Sequence, residues 1–365
     1  MPTGFEYQFP AIKGLQAKKE YYIAMCPLGL IPKLFQVNEE DLPPEFRAQR
    51  ILNKIRIPEI TKYINDNPDD YVFSSLTASI DGSMNFIPSP DKNIGKLCIS
   101  MESRILINDG QHRRAAIEEA LKINPELKKE TISIVFFADK GLEKSQQMFS
   151  DLNKHAVNTT KSIGILYDHR DPLSLLVKKL IDTIPLLRSF TDKEVDNLPK
   201  LSSKIFTLTN LHDSISRTLD KRKGQTITNE DEKFVMEYWT TLCNIIKEWK
   251  AIQNKQMSAL ELRKNYTCAH GVVVAAFGIL GNYFYCNYKN QPSMYTPYLQ
   301  KLNTIDWSRA NLHDWNGRSI ANGGKISKTE QNIRLTCNKI KLLVGISLNE
   351  DETALEQSFI SQIGE

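Results

Sequence analysis

The sequence predicts an α/β (α+β) amino-terminal domain on a mixed sheet, residues 1–168, followed by a mostly α-helical domain, residues 169–365. Three observations carry this. Up to about residue 165, short runs rich in β-branched and aromatic residues alternate with segments of helical period, the pattern of strands and helices sharing one sheet. From Pro172 onward one helical segment follows another with no comparable strand. The third is a single stretch, Arg104 to Ala116. It runs from the apolar Ile105, Leu106 and Ile107 through Asn108-Asp109-Gly110 into a segment where Ala116, Ile117, Ala120 and Leu121 recur at helical spacing. A buried strand, a turn and a helix start are thus compressed into one motif.

Taken in order, residues 21–26 read as a strand ended by Pro27-Leu28-Gly29, and residues 30–35 as a second one. Asp41-Leu42-Pro43-Pro44 opens a helical segment carrying Arg47, Arg50, Lys54 and Arg56, which is either a solvated face or a nucleic-acid contact. Residues 71–80 form a strand closed by the Asp81-Gly82 turn, and residues 97–101 another. The motif helix ends near Asn124-Pro125, because proline disfavours helical geometry in the residue before it. Residues 132–137 (Ile-Ser-Ile-Val-Phe-Phe) are the strongest strand, and residues 142–152 a helix buried through Met148, Phe149 and Leu152. Beyond the boundary, near residues 165–172, helices are expected over 173–184, 201–219, 231–252, 257–266, 267–285 and 330–343.

Composition sets bounds on the function. A chain of 365 residues with 25% charged and 41% hydrophobic residues is an ordinary globular protein. The net charge of +4 falls in the second half, with 21 Lys and Arg against 21 Asp and Glu over residues 1–165 and 26 against 22 thereafter. That balance is compatible with nucleic-acid contact and too small to establish it. Six scattered cysteines without CxxC spacing read as reduced, mostly buried thiols of a cytoplasmic protein. Cys268 and His270 lie two apart with no second ligand pair, so no metal is expected there. Residues 267–286 are long and apolar enough to suggest a membrane span, but His270 and Asn282 lie inside, and Gly271, Gly278 and Gly281 suit close backbone packing. A buried core helix, and no membrane, is the better reading.

The motif has chemistry of its own. The first-turn N–H groups of Gln111, His112 and Arg113, together with the helix dipole, favour an anion, and Arg113 can close on it as a fork beside Arg114. Phosphate is the anion such a device suits. Asp109 or Gly110 is placed to N-cap the helix. The alternative is an exposed basic first turn with no ligand. Asn153 and Lys154 leave the 142–152 helix and either complete a phosphate or nucleotide site or, for Asn153, act only as a C-cap.

Asp109-Gly110-Gln111-His112-Arg113 spells DGQHR, and here the chain resembles the DndB family of bacterial DNA sulfur-modification (phosphorothioation) systems. The segments Met148-Phe149-Ser150-Asp151-Leu152-Asn153-Lys154, Thr160-Lys161-Ser162 and Tyr167-Asp168-His169-Arg170-Asp171 resemble a second block of that family. Trp307-Ser308-Arg309 with Trp315-Asn316-Gly317 resembles a third. The resemblance implies a negative transcriptional regulator of a sulfur-modification gene cluster, with its own promoter DNA and other sulfur-modification proteins as partners. More distantly the motif is similar to the helix-opening motif of the ParB/sulfiredoxin superfamily. That likeness implies a nucleoside triphosphate, ATP or CTP, and an alternative role as a triphosphate hydrolase or nuclease component. Hydrolysis needs a group to orient water and usually a metal ligand; Asp109, Asp151 and Asp168 are eligible and spacing selects none. A sulfiredoxin-type reaction needs a cysteine where Gln111 stands, so a thiol mechanism is excluded.

Two further places in the second half are candidates for nucleic acid. The basic loop Lys221, Arg222, Lys223 either complements the preceding helix C-terminus or contacts phosphate backbone. The segment 307–324 interleaves aromatics with cations, so that Arg309, Trp315 and Arg318 suit base stacking and phosphate contact. It equally suits a loop pinned to the core by tryptophan. A scaffold in which the DGQHR motif merely holds a turn is the third reading of the whole chain.

Overall fold

A computed structural model describes residues 5–35, 54–138, 159–321 and 323–363. The chain divides into two compact units, residues 1–157 and 158–365. The division falls earlier than residue 168 because the segment after Thr160 bonds into the second unit. Asp196 accepts the first-turn amides of Lys161 (3.0 Å) and Ser162 (2.9 Å), and Ser162 Oγ donates to the Val195 carbonyl (2.9 Å).

The first unit holds a seven-stranded mixed sheet in the order β4-β5-β1-β2-β7-β3-β6. Its strands are β1 (Glu6–Gln16), β2 (Lys19–Pro27), β3 (Leu76–Asp81), β4 (Met84–Pro88), β5 (Ile94–Ser100), β6 (Arg104–Asp109) and β7 (Thr131–Ala138). All neighbours are antiparallel except β3 and β7, which run parallel. Alternation places Ala24 and Cys26 of β2, Ile132, Ile134 and Phe136 of β7, and Ile105 and Ile107 of β6 in the core. There they meet Ala116, Ile117 and Ala120 of α3 (Gln111–Ile123). Among the described residues, the other α-helices of this unit are α1 (Ile31–Leu34) and α2 (Arg56–Asp66).

Two expected strands change here. Residues 30–35 are not a strand: Pro32 stands at the start of the single turn α1, where its missing N–H costs nothing. Residues 71–75 stay irregular because side chains take their backbone groups. Tyr63 OH accepts the Val72 amide (2.9 Å), and Arg113 takes the carbonyls of Ser74 and Ser75. The strands β1 and β4 escaped the sequence reading. The 142–152 helix and most of the basic helical segment after Asp41, including Arg47 and Arg50, lie outside the described residues.

The second unit is helical: α4 (Lys161–Tyr167), α5 (Pro172–Thr183), α6 (Pro185–Phe190), α7 (Leu208–Leu219), α8 (Asn229–Ile245), α9 (Lys247–Gln253), α10 (Ala259–Asn265), α11 (Gly271–Tyr288), α12 (Pro292–Gln300), α13 (Leu312–Trp315), α14 (Glu330–Val344) and α15 (Glu350–Ile363). A two-residue parallel pair, β8 (Thr191–Asp192) with β9 (Phe206–Thr207), is added. That pair splits the helix expected over 201–219: Phe206 and Thr207 are extended, and Thr207 caps α7. The helix expected over 231–252 breaks at Ile246, which is extended (ψ 111°) and buried.

Helix α11 is the centre of this unit, with residues 272–277, Leu280 and Phe284 buried. It packs on α7 so closely that a Cβ at Gly278 would stand 2.4 Å from the Ser214 carbonyl oxygen. Among the described residues no helix is long and apolar enough to cross a membrane. Around α11 the indoles of Trp239, Trp249, Trp307 and Trp315 are all fully buried. Phe277 meets Trp249 and Trp307 edge to face, each at 5.7 Å between ring centres.

Candidate functional site

The DGQHR turn is built by β6 and its neighbour β3. Asn108, fully buried at the end of β6, accepts from Ser79 Oγ of β3 (2.7 Å), and its amide nitrogen has no partner among the described residues. Gly110 then adopts a left-handed backbone (φ +100°), and a Cβ there would meet Leu76 Cδ2 at 2.4 Å. Conformation and space therefore both demand glycine. Gly110 is itself the N-cap of α3 and has no side chain with which to cap the first turn. The amides of Gln111, His112 and Arg113 consequently have no helical carbonyl to bond, and no acidic residue stands in that turn. Gln111, His112, Arg113 and Arg114 are all half-buried.

Two roles expected from the sequence change. Asp109 does not cap the helix: with Gly110 in the N-cap position, its carboxylate turns to Arg113, and Arg113 Nη2 donates to Oδ2 at 2.7 Å. Arg113 Nη1 donates to the carbonyls of Ser74 (2.7 Å) and Ser75 (2.9 Å) and to Ser74 Oγ. The guanidinium thus ties β6, α3 and the irregular segment before β3 into one clamp. Arg114 is likewise turned back, to the Phe35 carbonyl (3.2 Å) and to Glu118 (3.6 Å). These acceptors offset the unfavourable placement of cations at a helix N-terminus. Ser74 and Ser75 were missed in the sequence reading, and Asn108 was read there only as a turn residue. The spacing of Asp109 and Arg113, four apart, was the available signal for the ion pair. Asn153, Lys154 and Asp151 lie outside the described residues.

In the second unit the nucleic-acid candidates are drawn inward. Trp315 is fully buried, stacks on Trp307 (5.1 Å, 11°) and donates Nε1–H to the Asp306 carbonyl (2.8 Å), so it has no face for a base. Arg318 is a core residue. It donates to the Leu335 carbonyl (3.0 Å), makes a bidentate pair with the buried Glu356 and lies over the Phe359 ring at 4.5 Å. Segment 307–324 is therefore a loop pinned by tryptophan, since the same aromatic–cation pattern serves a core when its rings find partners there. Arg309 is half-buried and donates to the carbonyls of Lys264 and Gly324.

The basic loop is also anchored. Lys221 donates to Asp231 and to the Thr226 carbonyl (2.8 Å), and Lys223 pairs with Asp168 at 2.9 Å. Arg222 has its amide on Gln225 Oε1 and is exposed. Burial raises the Asp231 pKa, but hydrogen bonds from Lys221, Tyr285 and Thr228 outweigh it and hold it at about 2. Asp168 is held at about 2 in the same way, by Lys223 and the amides of Asp171 and Arg170 against burial.

Five of the six cysteines are buried and Cys286 is exposed; all are free thiols. His270 is the N-cap of α11, with its Nε2 on the Arg263 carbonyl (2.9 Å). Among the described residues no group of three or more His, Cys, Asp or Glu could hold a metal ion.

The fold and the turn define a class: a mixed-sheet unit presenting a helix start opened by a left-handed glycine, in a chain whose other unit is helical. The chain belongs to the DndB family of DNA-sulfur modification-associated proteins, whose family model matches residues 9–347. It is a component of a DNA sulfur-modification system. No curated protein and no solved structure matches the chain.

Proposed function

We propose that this chain is a DNA-associated regulator of its sulfur-modification system, a negative transcriptional regulator of the gene cluster. In this reading the first turn of α3 recognises a phosphate, on a nucleotide or on the DNA itself. One observation carries it: α3 starts at a left-handed glycine, which has no side chain to cap the helix, with no acidic residue in the first turn and Gln111 and His112 in that turn. That arrangement attracts an anion through backbone donors and the helix dipole. Arg113 supports the site by holding the turn in shape.

The clamp also favours a second reading, in which the motif is only a structural turn. One experiment separates them. The purified chain is titrated with its own upstream DNA, with and without ATP or CTP, and thermal protection is measured with each ligand. Regulation predicts tight binding to upstream DNA over unrelated DNA, with affinity falling steeply as salt rises. Equal affinity for both DNAs and no protection by any phosphate ligand would remove the reading.

A further inference from the structure

The helical unit contains a cleft of about 450 Å³ that the DGQHR reading does not use. It opens between the 196–210 segment, the end of α10 and the start of α11. Four cations line it: Lys200, Arg263, Lys264 and Arg309. Among the described residues none of the four is ion-paired to a carboxylate. The one carboxylate on the wall, Asp196, is already committed to the amides of Lys161 and Ser162 and to Thr209 Oγ1 (2.7 Å).

Arg263 shows the imbalance most directly. Its Nη atoms donate to the carbonyls of Pro199 (3.0 Å), Lys200 (2.8 Å) and Ser202 (3.1 Å), while its buried Nε has no partner. Burial pulls its pKa down, with no carboxylate pulling the other way. Gly271, first residue of the 18-residue α11, also lines the cleft, and the N-cap His270 makes no side-chain capping bond. His270 beside it is pushed to about 4 by burial and adds no charge at neutral pH. Leu198, Ile205, Leu260 and Ala269 supply apolar lining to the same cleft, and Asn197 and Asn210 supply amides.

We infer that this cleft binds a nucleotide phosphate, with the cations and the α11 terminus on the phosphates and the apolar wall on the remainder of the molecule. The volume suits a small ligand, and the mix of apolar wall with few convergent polar groups is that of ligand pockets. A charge-rich concavity without its own counter-ions raises the local concentration of anions. The inference is independent of the α3 turn, because every residue it uses lies between 196 and 309.

The test is calorimetric titration of the full chain with pyrophosphate, ATP and a short single-stranded oligonucleotide. Lys200→Glu/Lys264→Glu reverses two exposed charges without touching the core, and Lys233→Glu, an exposed lysine of α8 outside the cleft, is the control. The expected result is a tenfold or greater loss of pyrophosphate and ATP affinity in the double variant, less than twofold in the control, and unchanged melting. Competition between the oligonucleotide and ATP would make a DNA phosphate the source, and its absence a free nucleotide; both support the cleft. Unchanged affinity in the double variant overturns the inference, as does failure of all three probes to bind. Loss in His112→Ala but not in the double variant also overturns it, while leaving the α3 reading standing.

Discussion

Replacing Arg113 by lysine keeps the charge and removes the fork. The guanidinium bridges acceptors on two sides, Asp109 Oδ2 at 2.7 Å and the carbonyls of Ser74 (2.7 Å) and Ser75 (2.9 Å). One ammonium cannot reach both, so Arg113→Lys, keeping the i,i+4 ion pair with Asp109, forfeits the two carbonyls. Hydrogen bonds from a charged donor contribute roughly 1.5–3 kcal/mol each. Ser74 is exposed, so water replaces part of that loss and about 1 kcal/mol per carbonyl is the fairer figure. The Asp109 pair, its carboxylate 48% exposed, is worth about 0.5–1 kcal/mol. Arg113→Lys should therefore destabilise the sheet unit by about 2 kcal/mol. For a unit of this size that is a fall in Tm of roughly 4–8 °C. Calorimetric melting of the full chain measures it, and amide exchange across β3 and α3 localises it. All four tryptophans lie at 239–315, so their emission follows the helical unit and serves as an internal reference. A variant that melts within 1 °C of the parent with unchanged exchange, yet loses phosphate affinity, would show that the guanidinium serves a ligand and that the clamp is misread.

Three further outcomes are expected. Glu356→Ala strands the buried Arg318 and should cost about 3–5 kcal/mol in urea unfolding, whereas replacing both partners with apolar residues should recover most of it; equal losses would contradict this. Gly278→Leu drives a side chain into the Ser214 carbonyl, 2.4 Å from a Cβ, and should destabilise the helical unit by roughly 2–4 kcal/mol, read from tryptophan emission; a neutral result would mean that α7 and α11 are not in contact. In acid, two groups act in the same direction. His270, lowered to about 4, withholds a proton that the unfolded chain takes up at about 6.5, so its contribution is present above pH 6.5 and is lost as pH falls toward 4. Asp231, held at about 2, contributes above the ordinary carboxylate range and loses that contribution as pH falls toward 2. His270→Gln should flatten the stability profile between pH 6.5 and 4, and an unchanged slope would refute the assignment.

Local chemistry made much of this protein legible from its residues alone. Ile105 to Ile107 had to be a strand and Gly110 a turn, because apolar runs and left-handed glycines act within a few residues of themselves; Asn108 and Asp109, read as part of the turn, instead continue β6, where β3 pairs with Asp109. The start of α3 at Gln111 and its end at Asn124 follow from the same local rules. The change at Pro172 from alternating elements to helices was visible for the same reason, as was the burial of α11, whose apolar residues surround the helix on every side. Contacts between residues distant in sequence were decided by tertiary structure. No spacing rule joins Arg113 to Ser74 and Ser75, thirty-eight and more positions away, yet that contact turns an apparent anion fork into a clamp. Trp315 and Arg318 carry the composition of a nucleic-acid surface, and only the positions of Trp307, Glu356 and Phe359 make them core. The cationic cleft is the reverse case: Lys200, Arg263 and Lys264 are unremarkable in sequence, and convergence of three separate segments gives them, with Arg309, a common field. Composition records which groups a chain has; folding decides which of them face a partner, and a side chain's chemistry depends on that partner.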